Sequence, residues 1–287
     1  MIARLAIIGV GLIGGSLSLA LKQANQVKEV VGYGRNRQNL EKGVELGVID
    51  RFETSISDCV AGADIVVVAV PLGAMSAVFS ELARVVTADM VITDVGSAKG
   101  SVVEIARASL GDRFAQFVPG HPIAGTENSG VEAAFASLYQ GRKVILTPLD
   151  ETSPQAIELI STMWKDCKAS VEFLAITHHD KVLAATSHLP HMLAYTLVHH
   201  LSALNEHEEI FRYAAGGFRD FSRIASSDPV MWRDVCISNG DALVDLIEQY
   251  QRELTLVADA IRNKDADCLL ELFGRAKTER DSLIGNC

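Results

Sequence analysis

Proline is scarce in this 287-residue chain (7 residues), aromatic residues make up 6%, and the five cysteines contain no CxxC pair. Few prolines beside 48% hydrophobic and 22% charged residues exclude a wholly disordered or linker-like chain. Cys59, Cys167, Cys236, Cys268 and Cys287 are odd in number and widely spaced. That pattern is no disulfide framework and reads as reduced thiols in a cytoplasmic protein. No apolar run reaches the ~18 residues a membrane span needs. The opening MIARLAIIGVGLIGG lacks the small-residue cleavage site of a signal peptide. Basic residues are in deficit as well: 26 Lys+Arg against 36 Asp+Glu leave a net charge of −10. A general nucleic-acid binder is therefore excluded, because phosphate contacts need clustered Lys and Arg.

At roughly 150 residues per domain the length allows about two. Up to residue 150, short apolar runs alternate with helical stretches: Leu5–Ile8, Glu29–Tyr33, Ile65–Val70, Met90–Asp94, Phe114–Pro119 and Lys143–Thr147. Continuous apolar runs mark strands covered on both faces, so an α/β, doubly wound, Rossmann-like parallel sheet is expected. Val171–Leu174 is a candidate to close that sheet. Beyond about Ile176 only helical periodicity is found; Ala242, Leu243, Leu246, Ile247 and Tyr250 share one helical face. The expected organisation is a dinucleotide-binding domain over 1–174 and an all-α substrate and dimerisation domain over 175–287, broken at Gly216–Gly217 and Asp228–Pro229.

Gly9-Val10-Gly11-Leu12-Ile13-Gly14 follows the first strand and opens a helix. In that setting Gly9 makes the tight turn, Gly11 lets the backbone approach a pyrophosphate, and Gly14 allows close helix–strand packing. The phosphates would sit on the helix N-terminus. About 20 residues on, where NAD enzymes keep an acid for the ribose 2′-hydroxyl, the chain reads Tyr33-Gly34-Arg35-Asn36-Arg37. The acid is missing and two guanidinium groups stand in its place, which favours NADP with NAD as the alternative; solvated helix-start arginines are the competing reading.

Further chemistry-bearing segments leave the carboxyl edge of the expected sheet. Ser97, in DVGSAKG, offers a hydroxyl or a helix N-cap. His121, between glycine and proline on an expected loop, is placed for proton transfer near neutral pH. Seven of the eight histidines fall between His178 and His207, yet no HExxH motif or Cys/His cage occurs, so no metal is expected. Arg212, Arg219, Arg223 and Arg233 crowd a Gly-Gly break; they suit carboxylate recognition or surface ion pairs with Asp220, Asp228 and Asp234.

GLIGGSL, ADIVVVAVP, DVGSAKG, GHPIAGTENSG, TSHLPH and GGFRDFSRIASSDPVMWRD occur in this order over about 225 residues. Together they resemble the prephenate/arogenate (cyclohexadienyl) dehydrogenase family of tyrosine biosynthesis. The resemblance implies an NAD(P)-dependent oxidative decarboxylation of prephenate to 4-hydroxyphenylpyruvate, with arogenate or dual use as the alternative. It also implies a homodimer built by the helical domain and a cleft between the domains as the active site.

Carried over by residue, the resemblance makes His121 the acceptor of the substrate hydroxyl proton, with Ser97 hydrogen-bonded to it. Arg223 would bind a carboxylate. Thr126, Glu127, His188, His191, Gly216 and Asp220 would line or orient the pocket. Cofactor contacts are expected at Gly9, Gly11, Leu12, Ile13, Gly14, Arg35, Asn36, Arg37, Val70 and Pro71. At this length no room is expected for a mutase or regulatory domain, so any tyrosine inhibition would act at the active site. Another two-domain NADP dehydrogenase would lack GHPIAGTE and FRDFSRIAS, and a non-catalytic nucleotide sensor would have lost Ser97, His121 or Arg223.

Overall fold

A computed structural model describes residues 1–126 and 128–284. The first part alternates strands and helices: β1 (Ile2–Ile8), α1 (Leu12–Gln23), β2 (Val27–Tyr33), α2 (Arg37–Glu45), β3 (Arg51–Phe52), α3 (Ile56–Val60), β4 (Ile65–Val68), α4 (Met75–Leu82), β5 (Val91–Asp94), α5 (Gly100–Leu110) and β6 (Phe117–Val118). These six strands form one parallel sheet in the order β3-β2-β1-β4-β5-β6. The continuous apolar runs serve two cores at once. Leu5 and Ile7 of β1 and Ile65 and Val67 of β4 pack on one face with Leu17, Tyr139 and Trp164. Ala6, Ile8, Val66 and Val68 pack on the other with Phe79 and Phe117. Side chains alternate along a strand, so a run with no polar position is what two covered faces demand. Each fully buried Leu, Ile or Val contributes about 1.5–3 kcal/mol.

Strand order reverses between β1 and β4, and there the β1–α1 turn meets the end of β4. Gly9 has φ +103°, and a Cβ on it would lie 2.3 Å from the Ala69 carbonyl oxygen. Any side chain is excluded sterically as well as conformationally. Open α/β sheets bind ligands at this switch point.

A second, three-stranded sheet follows, built of β7 (Gly120–Pro122), β8 (Lys143–Leu146) and β9 (Ser170–Phe173), with α6 (Pro154–Asp166) between β8 and β9. Two expectations are corrected. Val171–Leu174 does not close the main sheet; β9 pairs with β8, parallel. His121 is not on a loop: Gly120, His121 and Pro122 pair antiparallel with Leu146, Ile145 and Val144.

From Ile176 onward the chain is helical: α7 (Ile176–Leu183), a π turn (Ala184–His188), α8 (Leu189–Ser202), α9 (His207–Arg212), α10 (Gly216–Ser222), a 3-10 turn (Arg223–Ser226), α11 (Pro229–Ser238), α12 (Gly240–Asn263) and α13 (Ala266–Ile284). Pro190 stands at the start of α8 just beyond the π turn, and its missing N–H interrupts the helical ladder where the wider turn forms. Gly216 and Gly217 open α10 and do not interrupt a helix. Asp228 caps α11, its side chain accepting from the Val230 and Met231 N–H groups at 2.7 and 3.0 Å. The change from α/β to all-helical chain falls after β9, whereas two compact units divide at 240: Met1–Gly240 and Asp241–Cys287.

A Cβ at Gly14 would lie 2.7 Å from both the Gly9 carbonyl oxygen and Ile7 Cγ2, whereas one at Gly11 would meet nothing within 4 Å. In urea unfolding, Gly14→Ala is expected to lose about 1–3 kcal/mol. Gly11→Ala is expected to stay within about 0.5 kcal/mol of the parent. Equal losses would overturn this packing account.

Candidate active site

The start of α1 carries the features of an anion cradle. Gly11 occupies the N-cap without a side-chain cap, and the first turn holds no acid. The Leu12 and Ile13 N–H groups have no acceptor among the described residues. These open N–H groups, the helix dipole and the open space over Gly11 suit a pyrophosphate. Beyond β2 a cavity of about 310 Å³ is lined by Gly34, Arg35, Arg37, Phe52, Glu53 and Thr54 among others. Arg35 is exposed and has no side-chain partner among the described residues. Arg37 is paired with Glu41 at 2.8 Å, and the Asn36 side chain caps α2 by accepting from the Asn39 N–H. The residues present fit a nicotinamide dinucleotide.

Next along this edge, Asp94 ends β5 and forms a fully buried ion pair with Lys99. Its carboxylate accepts the N–H groups of Gly96 (2.7 Å) and Gly120 (3.2 Å), while Lys99 Nζ donates to the Gly120 carbonyl at 2.6 Å. Gly120 is thus gripped through both backbone groups, and His121 is its neighbour. Burial pulls the Lys99 ammonium below its usual pKa, and Asp94 opposes that pull.

His121 is buried, and its Nδ1 lies 2.9 Å from His179 Nε2. His179 Nδ1 in turn lies 2.8 Å from Asp180 Oδ1. Asp180 also accepts the Lys99 and Gly100 N–H groups at 2.8 and 2.7 Å, capping α5 from across the fold. Burial works to raise the Asp180 carboxyl, but hydrogen bonds from His179, Lys99 and Gly100 outweigh it and hold the pKa below the ordinary value. Burial holds His121 well below the usual imidazole range, assisted by the charges of His179, Lys99 and His188.

Two more histidines join from the helices. The Asn239 amide donates to the Asp180 carbonyl at 2.8 Å and meets His188 Nδ1 at 3.2 Å. A neutral His188 therefore carries its hydrogen on Nε2, a buried atom with no hydrogen-bond partner among the described residues. Burial brings the His188 pKa down to about 4, although the Asp180 charge opposes the shift. His191 donates from Nδ1 to the Ser187 carbonyl at 2.9 Å, leaving Nε2 as an acceptor. Its ring stacks on Trp232, centroids 3.6 Å apart. Burial lowers its pKa, and Arg223 lies close enough for its charge to add to that. All these groups belong to Met1–Gly240.

Known proteins resemble the chain over nearly its whole length. The family model described as prephenate dehydrogenase, nucleotide-binding domain, matches residues 17–173; that described as prephenate dehydrogenase, dimerization domain, matches 176–275. The chain belongs to the prephenate dehydrogenase family. It is 38% identical to a cyclohexadienyl dehydrogenase of Zymomonas mobilis, covering 98% of this chain and 96% of that one. It is also 38% identical to a Bacillus subtilis prephenate dehydrogenase, covering 96% and 74% respectively. A crystal structure of an A. aeolicus prephenate dehydrogenase with hydroxyphenyl propionate and NAD+ superposes with a TM-score of 0.92, at 36% identity and 99% coverage of both chains.

Within this prephenate dehydrogenase-family fold the expected residues can be placed one by one. Gly9 and Gly14 stand against the end of β4, where a Cβ on Gly9 would lie 3.1 Å from Val70 and one on Gly14 3.2 Å from Ala69. Gly11, Leu12 and Ile13 lie in the turn and first helical turn between them, and Pro71 follows Val70. His121, His188 and His191 come together, with Arg223 beside His191. Ser97 departs from expectation: His179 occupies Nδ1 of His121, and among the described residues the Ser97 hydroxyl makes no hydrogen bond to that ring. Nor does Ser97 cap α5, since Asp180 does. Thr126 turns its hydroxyl to the Asn128 N–H, 3.2 Å away. Gly216 lies at the exposed start of α10, and Asp220 is exposed on the same helix. Glu127 lies outside the described residues.

Sequence reasoning missed His179, Asp180, Asn239, Trp232 and the Asp94–Lys99 pair. Asp94 and Lys99 flank Ser97 in the quoted DVGSAKG, and a carboxylate five residues before a lysine at a strand end was the available signal. Removing one partner of a fully buried pair leaves an uncompensated charge. Lys99→Met is expected to destabilise the fold by about 3–5 kcal/mol in chemical denaturation; a change below about 1 kcal/mol would refute the clamp.

Proposed function

We propose that the chain oxidatively decarboxylates prephenate to 4-hydroxyphenylpyruvate, using NADP in preference to NAD, with arogenate as the alternative substrate. The observation that carries this is a buried His121, its pKa held low by burial, next to a glycine bound at the carboxyl end of β5, in a fold whose β1–α1 turn suits a dinucleotide. A nicotinamide dinucleotide bound over Gly11 and the start of α1 would supply the acceptor for the hydride leaving C4 of the substrate ring. His121 takes the proton of the 4-hydroxyl as that oxygen becomes carbonyl-like. The C1–carboxylate bond then breaks, carbon dioxide leaves, and the freed electron pair completes the aromatic ring. The oxygen recovers the proton from His121, so the residue ends unchanged. Aromatisation drives the reaction, and the protein's task is chiefly positioning.

Arg223, with a fork that matches a carboxylate, is assigned the substrate anion. His188 Nε2–H, His191 Nε2, Ser97, Thr126, Gly216 and Asp220 are assigned the pocket, as is Glu127. Arg219 has no side-chain partner among the described residues, and an unpaired cation there favours the keto acid over an ammonium-bearing one. On the cofactor, Glu53 in the ribose cavity argues for NAD, but its carboxylate is already paired with Arg51. Unpaired Arg35 is left to meet a 2′-phosphate.

The helices of the second unit carry exposed Leu254, Leu256, Ile261, Leu270 and Phe273, and the matched family domain is described as a dimerization domain. A second copy of this chain is the proposed cover. Among the described residues no helix is long and apolar enough to cross a membrane. A cytoplasmic location belongs to the same reading.

Reduced-nicotinamide absorbance, crossing prephenate and arogenate with NAD and NADP, tests this directly; the highest kcat/KM is expected for prephenate with NADP. His121→Asn should lower kcat about 10²- to 10⁴-fold with little change in KM. Arg223→Ala should raise the substrate KM about 10- to 100-fold. Turnover of neither acid by the parent protein would overturn the assignment.

The base must be neutral, so activity is full above the pKa of His121 and falls as pH drops through it. Because that pKa is depressed, kcat is expected to stay level through the ordinary imidazole range, ~6.5, and to decline only in more acid solution. A limb at or above that range would contradict the burial argument.

A further inference from the structure

A carboxylate can only accept hydrogen bonds, and that fact orients a whole chain of side chains here. Asp180 is held by three donors, the Lys99 and Gly100 N–H groups and His179. Gly100 allows the close approach: a Cβ there would stand 3.0 Å from Asp180 Oδ2. His179 must therefore carry its hydrogen on Nδ1 to donate to Oδ1. A neutral His179 then has a bare Nε2, which can only accept. The group it meets at 2.9 Å is His121 Nδ1, so that nitrogen must be the donor. The remaining nitrogen of His121, Nε2, is left without a hydrogen.

We propose that His179 and Asp180 are positioning residues that fix His121 in its Nδ1–H tautomer, so that Nε2 is always the basic atom presented to the substrate hydroxyl. This rests on reading His121 as the proton acceptor. In free imidazole the Nε2–H form is populated, and in that form the ring would offer a hydrogen where a lone pair is needed. Once His121 has taken the proton, the Asp180 charge faces the imidazolium through His179, and no second proton has to move.

The other groups around His121 do not fix a tautomer. Lys99, preceding α5, and His188, in the π turn, act on the ring only through their charges. On this strand Asp94 bonds the backbone of the preceding residue, Gly120. The arrangement parallels a base oriented by a third group, but the orienter is an imidazole–carboxylate pair in sequence positions 179 and 180.

The test joins a direct view of the tautomer to kinetics. With 15N-histidine-labelled full-length protein, imidazole 15N–1H correlation spectra should show His121 and His179 both protonated on Nδ1 and bare on Nε2. His179→Leu removes the acceptor; His121 should then move toward the Nε2–H form. Its kcat, read above the acid limb, should fall about 10- to 1000-fold with both KM values within about threefold. His179→Gln, whose side-chain oxygen can accept the same hydrogen, should recover most of that loss.

A His121 ring protonated on Nε2 in the parent protein would overturn the proposal. So would a Leu variant with parental kcat, or Leu and Gln variants equally impaired, since His179 would then act only by filling space. A parent protein that shows the Nδ1–H tautomer but turns over neither cyclohexadienyl acid would support the tautomer lock while overturning the dehydrogenase reading. The two failures are therefore separable.

Discussion

The ion pair between Asp94 and Lys99 is the constraint on which the rest of the site depends. Burying two charges costs several kcal/mol per ion after relaxation, and a packed apolar pair would often serve stability better. What the pair does that apolar residues cannot is bind backbone. Asp94 takes the Gly96 and Gly120 N–H groups, and Lys99 takes the Gly120 carbonyl. One interaction therefore ties the end of β5, the Ser97 turn and β7 together, across two sheets that share no strand pairing. The same ammonium bears on His121 and helps keep it neutral. Charge is spent on geometry first and on proton affinity second.

Asp180 repeats this logic from the helical side. It caps α5 from a distance, orients His179, and through its own carbonyl shares Asn239 with His188. The tautomers of His121, His188 and His191 follow from which partner can only accept and which can only donate. His188 ends as a donor with an unpartnered Nε2–H, while His121 and His191 end as acceptors. A pocket for a carboxylate-bearing alcohol needs both kinds, and here they come from neutral rings whose charged forms burial disfavours.

What was legible in the sequence was local. Gly9 and Gly14 could be read because a turn with φ +103° at the first and close contacts at both leave no room for a side chain, while Gly11 leaves open space for a ligand. The central strands of the main sheet were readable because burial on both faces keeps the runs Leu5–Ile8 and Ile65–Val68 apolar throughout. β7 was not readable: three residues with a proline have no period, and their extended state depends on pairing with β8. The partner of β9 was hidden for the same reason, since an apolar run specifies a covered strand without naming its neighbour. His179 and Asp180 looked like members of a histidine-rich stretch, 58 residues from His121; only the packing of α7 against α5 makes them its neighbours. Ser97 illustrates the converse, where a resemblance supplied a hydrogen bond to a ring whose Nδ1 is engaged by His179.

The electrostatics resolve an apparent conflict between a chain of net charge −10 and ligands that are themselves anions. Net charge acts at a distance and is screened beyond about 8–10 Å in physiological salt. At contact range the fixed partial charges of α1 and individual guanidinium groups decide. Several surface arginines are neutralised by a helical neighbour, as Arg37 is by Glu41 and Arg262 by Asp259. Arg35 and Arg219 carry no such partner among the described residues. An acidic surface disfavours adventitious polyanions, while unpaired Arg35 at the cavity beyond β2 and Arg219 on α10 leave positive charge at those two places. It follows that ionic strength should weaken binding at these two places more than it weakens the fold, whose own buried pair is sheltered from salt.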